Sequence, residues 1–177
     1  MNSLNTTPEA PVNGLISALK HSDLTENVEV GDKFSDGVFM SQDPQHQREM
    51  SCTSPEGRVL RLRAKAAPGS QWTALHIQPV PEDLSGISVL GVVIKSQSFG
   101  NARTSRVCLR SGFKDSFVDT FFPKHLVSFS EPGAHLDLLQ PDMIDELPAL
   151  ADWRELIIFF PMNWTDIVIS DIRVFMV

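Results

Sequence analysis

The chain has 177 residues and a formal net charge of −7 at neutral pH, with two cysteines and no tyrosine. That length suits one domain whose core is large enough to fold without a metal or a disulfide. The acidic surplus argues against nucleic acid as a partner, because neutralising phosphates needs a basic surface.

In chain order, residues 1–27 read as an N-terminal arm. Its opening, MNSLNTTPEAPVNG, has neither the basic segment nor the apolar stretch of a secretory signal. Synthesis in the cytoplasm is therefore expected, with release or display on a particle surface left open. Cys52 and Cys108 are accordingly expected as two reduced thiols, although sequence does not exclude a bridge. Within the arm, GLISALKHSDL predicts a short amphipathic helix with Leu15, Ile16 and Leu19 on one stripe.

A single domain is expected over 28–177. It opens turn-rich in VGDKFSDGVF and polar in QDPQHQREMSCTSPEG, with a turn at Pro55, Glu56 and Gly57. Strands are predicted in RVLRLRAKA, QWTALHIQPV, GISVLGVVIKSQS, TSRVCLRSG, SFVDTFF, LVSFS and AHLDLL. APGS, PEDLSG and SFGNA supply the turns between several of them. PDMIDELPALAD reads as a loop, and two further strands follow in WRELIIFF and TDIVISDIRVFMV.

The apolar C-terminus raises the question of a membrane anchor. The uncharged run Leu156 to Thr165 is about half the ~20 residues a spanning helix needs, and Pro161 and Asn163 break it. Membrane insertion is not expected. The last run alternates, which predicts Val168, Ser170, Ile172, Val174 and Met176 on one face, opposite Asp171 and Arg173.

So many short strands with almost no helix imply an all-β, antiparallel two-sheet sandwich. Alternation then assigns faces. Leu60 and Leu62 oppose Arg61 and Arg63; Leu75 and Ile77 oppose Trp72, His76 and Gln78; Val107 and Leu109 oppose Arg106, Cys108 and Arg110. ISVLGVVI is apolar on both faces and should be central. Three strands therefore carry a polar face with arginines, one tryptophan and one histidine, yet no Asp or Glu.

The order FSDG, LRLRAKA, WTALHIQPVPEDLSGISVLGVVIKSQS, SRVCLRSG, WRELIIFF, DIVISDIRVFMV resembles the galactose-binding-like jelly roll of many carbohydrate-binding modules. The points of likeness are a turn-rich Gly segment, Asp83 to Ile94 leading into a long central strand, Trp153 opening a late strand, and Asp171-Ile172-Arg173-Val174 closing the fold. The resemblance covers about Val28 to Val177. It implies a jelly-roll sandwich that binds glycans without chemistry, on one sheet face or on the loops at one end. It also implies a structural calcium near the first and last strands. The lack of tyrosine departs from the usual glycan platform.

Aromatic rings stack on sugar faces, and arginine forks fit carboxylates and sulfates. Trp72, His76, Gln78, Arg61, Arg63, Arg106 and Arg110 are therefore the candidate ligand residues, joined by Phe99 in SQSFGNAR and Trp164 in PMNWTD. Trp153 is expected in the core. Asp32, Asp36 and Asp171 are the calcium candidates, as hard oxygen ligands without EF-hand spacing. Cys108 between Arg106 and Arg110 is a candidate for a lowered thiol pKa. The carboxylates Asp142, Asp145, Glu146 and Asp152 share one loop, but no catalytic motif accompanies them.

The expected function is non-catalytic carbohydrate binding, aimed at an acidic or surface polysaccharide. Homo-oligomers or display on a larger assembly would suit it. The alternative is a structural or protein-interaction sandwich subunit of a multi-protein particle.

Overall fold

A computed structural model describes residues 7–177. Of the arm expected over 1–27, residues 1–6 lie outside the described residues. Helix α1 (Ala10–Lys20) carries Pro11 in its first turn, where a missing N–H breaks no helical bond. Val12, Ile16 and Leu19 repeat at helical spacing and are buried in the sandwich core. Asn13 donates from Nδ2 to Val174 O at 2.7 Å, and its Oδ1 accepts Val174 N–H at 2.9 Å. The side-chain amide thus satisfies backbone that a neighbouring strand would otherwise pair.

Two antiparallel sheets follow. The first has the order β1 (Lys33–Ser35), β2 (Val38–Gln42), β5 (Thr73–Ile77), β11 (Trp153–Phe159), β7 (Arg103–Phe113), β8 (Ser116–Phe121), with β9 (Leu126–Ser128) also pairing β7. The second has the order β10 (Gly133–Leu139), β6 (Leu90–Ser98), β12 (Thr165–Met176), β4 (Leu60–Ala64), β3 (Met50–Thr53). The all-β, two-sheet architecture read from alternation is the one observed, and the doubly apolar β6 is an interior strand of its sheet.

Strands β1, β2 and β3 lie in stretches that read as turns. Gly37 makes the β1–β2 turn at φ +88, where a Cβ would collide with the Gln78 carbonyl. Immediately after it, Val38 and Met40 alternate into the core. The turn residues outweighed this short alternation in the sequence.

The inner faces interdigitate. Leu75, Ile77, Val107, Leu109, Leu156 and Ile158 of the first sheet meet Leu60, Leu62, Val92, Ile94, Ile167 and Ile172 of the second, all essentially inaccessible to water. Each such side chain contributes roughly 1.5–3 kcal/mol relative to exposure. The alternation expected for β12 needs correction. Its register shifts between Ile169 and Asp171, which leaves Ser170 as a bulge. Before the bulge Ile167 and Ile169 face the core; after it Ile172 and Val174 do. Val168 lies opposite Arg61 and Gln97 on the outer face, away from Ile172 and Val174.

Candidate functional site

The outer face of the first sheet is built in registered rows. Phe39, His76, Ile157, Cys108 and Phe121 pair successively across β2, β5, β11, β7 and β8. Glu155, Arg110 and Asp119 form the next row, with Gln78 beside Glu155. On the other side Ser41, Ala74, Phe159 and Arg106 align. Small buried residues, Ala74 and Cys108, floor the centre, and larger side chains rise around them. The result is a groove of about 370 Å³ lined by Trp72, His76, Arg110, Phe117, Asp119 and Phe159.

Charges in this groove are paired. Arg110 donates from Nε to Asp119 Oδ1 at 2.6 Å and from Nη2 to Asp119 Oδ2 at 2.8 Å, and its Nη1 lies 3.6 Å from Glu155 Oε1. These carboxylate bonds, Asp119 first, hold the Arg110 guanidinium above its ordinary pKa against the effect of burial. Gln78 Nε2 donates to Glu155 Oε2 at 2.9 Å. His76 Nδ1 lies 3.2 Å from the same oxygen without hydrogen-bond geometry, while Nε2 is 2.5 Å from Ser41 Oγ. The imidazole also stacks flat on Phe39, with ring centres 4.6 Å apart. Arg110 lies over the Phe117 ring at 3.9 Å and Arg106 over Phe121 at 4.2 Å. Arg110 is therefore offset by two carboxylates, whereas Arg106 rests on an aromatic ring.

Five of the sequence-predicted ligand residues, Trp72, His76, Gln78, Arg106 and Arg110, share this face. The other four do not. Arg61 and Arg63 stand on β4 in the second sheet, both close to Asp166 Oδ2, at 3.2 and 3.4 Å. Phe99 lies under Arg61, and Trp164 packs with Arg103 at that sheet's end. The expectation of one polar face over three strands is thus corrected: equal alternation does not place strands in the same sheet. Nor is the face free of acids, because Glu155 and Asp119 enter from neighbouring strands.

Trp153 is also corrected from core to surface. It is 37% exposed and lies across Gly112, where a Cβ would overlap the indole. Cys108 does not carry a lowered pKa. Burial dominates and pushes its thiol well up, Asp119 adds to the rise, and Arg110 offsets only part of it. The sequence reading missed Phe117, Asp119, Phe121, Glu155 and Phe159. Alternation in SFVDTF already puts Phe117, Asp119 and Phe121 on one face; the continuous apolar run of β11 gives no such signal.

No protein-family model matches the sequence, and no curated protein matches it. Solved structures do match the fold. A family 11 carbohydrate-binding module from Clostridium thermocellum, in complex with a β-1,3-1,4-mixed-linked tetrasaccharide, superposes at TM-score 0.52 and 10% identity, over 84% of this chain and 94% of that one. The family 11 module of a cellulosomal cellulase from the same organism gives TM-score 0.53 and 11% identity, over 89% and 94%. A family 4 module gives TM-score 0.55 and 11% identity, over 79% and 86%. The fold is the jelly roll of the carbohydrate-binding modules.

In this jelly roll the calcium candidates Asp32, Asp36 and Asp171 do not gather into one ligand group. Asp36 bonds Lys33 at 2.8 Å, which lowers its pKa, and Asp171 pairs with Lys20 at 2.9 Å and with Arg173 at 3.6 Å. Among the described residues no group of three or more His, Cys, Asp or Glu is placed to hold a metal ion. Asp142, Asp145, Glu146 and Asp152 are exposed on the β10–β11 connection. Cys52 and Cys108 are free and buried. Among the described residues no helix is long and apolar enough to cross a membrane.

Proposed function

We propose that the protein binds carbohydrate, without transforming it, in the groove on the first sheet. The observation that carries this reading is the groove's make-up: aromatic walls from Trp72, Phe117 and Phe159 around the hydrogen-bonding edges of His76, Arg110 and Asp119. Pyranose rings have apolar faces and polar rims, and this arrangement offers a surface to each. A fold shared with carbohydrate-binding modules supports the reading. The paired charges favour neutral stretches of a glycan at the groove's centre. Arg106, which has no salt-bridge partner among the described residues, is the cation available to an acidic substituent at its edge. A site of this kind binds weakly, so display of several copies on an assembly would strengthen attachment through avidity.

A glycan array followed by calorimetry on the full chain tests this. At least one oligosaccharide should bind, and Trp72→Ala and Phe117→Ala should each weaken it by about tenfold or more. Arg106→Ala should matter only for charged glycans. Binding to no glycan would overturn the reading in favour of a protein-interaction sandwich. That second reading has its own support in Phe129 and Leu136, 56% and 52% exposed along the β9–β10 edge.

A further inference from the structure

The outer face of the second sheet carries a cluster that the groove does not use. Around Trp164 stand the cations Arg61, Arg63, Lys65 and Arg103, against the carboxylates Asp166 and Glu49. A local cationic excess in a chain of net charge −7 is notable because it opposes the overall field. A pocket of about 220 Å³ opens there, with Trp164 as one wall and Glu49, Ser51, Arg63 and Lys65 from β3, β4 and the residues flanking them as the others.

Trp164 is half exposed, yet its turn is clamped. Arg48, itself buried, donates from Nη1 to Pro161 O at 2.8 Å, from Nη2 to Asn163 O at 2.9 Å and from Nε to Lys65 O at 3.0 Å. Arg103 Nε adds a bond to Trp164 O at 2.8 Å. The indole is therefore held in water on a backbone that has little freedom to withdraw it, the preorganisation that binding requires. Arg63 Nε lies 3.4 Å from Asp166 Oδ2, and the Arg63 guanidinium makes no hydrogen bond among the described residues. Lys65 and Glu49 are 69% and 76% exposed, and so open an ion pair that a ligand can displace at little cost.

We infer that this pocket is a second saccharide site, separate from the groove, for a sugar unit bearing an anionic oxygen group. The sugar ring lies on Trp164, and the fork of Arg63 takes the carboxylate or sulfate with Lys65 beside it. The inference does not depend on the groove reading. It gives acidic sugar units a place on the sheet that carries Arg61 and Arg63.

Proton–nitrogen correlation spectra of the full chain, titrated with tetragalacturonate, a sulfated tetrasaccharide and cellotetraose, test it. At least one anionic probe should shift the Trp164 indole N–H and the amides of Ser51 and Lys65, more weakly as salt is raised. A shift by tetragalacturonate alone identifies a carboxylate site, by the sulfated sugar alone a sulfate site, and either supports the proposal. Trp164→Ala and Arg63→Gln should each weaken the response at least about tenfold, and Phe117→Ala should leave it unchanged. The wild-type shifts need no variant to fold. Silence of these signals with both anionic probes at millimolar concentration, or an equal response to cellotetraose, overturns the proposal. The Trp72 indole reports the groove in the same spectra, so failure of either site is read separately.

Discussion

Arg110 grips Asp119 through two parallel hydrogen bonds of 2.6 and 2.8 Å across registered positions of β7 and β8. The pair stands at the rim of the groove, with Phe117 stacked on the guanidinium. Both side chains are less than a quarter exposed, so water screens the pair only in part. Asp119→Asn removes one charge and leaves Arg110 facing Glu155. A double-mutant cycle of Asp119→Asn with Arg110→Met, read from urea unfolding, should give a coupling of about 1 kcal/mol. The single Asp119→Asn change should also weaken glycan binding, because Phe117 loses its fixed support. Zero coupling would mean that the fork contributes nothing to the groove wall.

Asp43 organises the segment that presents Trp72. Its Oδ1 accepts Gln45 N–H at 2.9 Å, its Oδ2 accepts Gln71 N–H at 3.1 Å, and its own N–H donates to Trp72 O at 3.0 Å. The Gln45 bond above all holds the carboxyl below its ordinary value of 3.8. A lowered folded-state pKa means that the stabilisation is present in full above the unfolded-state value and is lost as pH falls through the folded one. Asp43→Asn should therefore be less stable than wild type at pH 7, with the gap closing below about pH 3.8. Urea midpoints at several pH values check this. A gap that stays constant with pH would exclude the carboxylate as its source.

Both thiols should be inert in the native state. Burial pushes Cys52 up to about 12, with Glu29 adding to the rise, and Cys108 is raised further for the same chief reason. The reactive thiolate is then scarce and shielded at pH 8. A colorimetric thiol reagent should find essentially no reactive cysteine in the folded chain and two after denaturation. Rapid labelling of Cys108 in the native protein would contradict the buried floor of the groove.

Arg154 is 1% exposed and bonds the loops that close one end of the sandwich. Nε donates to Glu82 O at 3.2 Å, Nη2 to Pro148 O at 2.5 Å, and Nη1 to Ser111 Oγ. Replacing it with Met keeps volume but strands three acceptors, the buried Ser111 Oγ and two part-buried carbonyls. Arg154→Met should lower unfolding free energy by about 3 kcal/mol in chemical denaturation. A change near zero would show that those carbonyls find water or other partners.

Much of the architecture was legible because strand alternation is local. Leu75 and Ile77, or Val107 and Leu109, announce a buried face within a few residues, and Trp72, His76, Gln78, Arg106 and Arg110 follow from it as its opposite. Short strands beside strong turn signals were not legible: β2 rides on Gly37, and β3 sits in a polar stretch. The Ser170 bulge was equally hidden, since an extra residue changes parity without changing composition.

What the sequence determined by itself was the class of fold and, strand by strand, which side chains turn away from oil, because neighbouring residues on a pleated chain point opposite ways whatever surrounds them. Only the tertiary structure decided which of those outward faces share a sheet. Strand pairing is set between distant segments by register and hydrogen bonding, so Arg61 and Arg63 went to Trp164 and Phe99, while Glu155 and Asp119 came to Arg110 and His76.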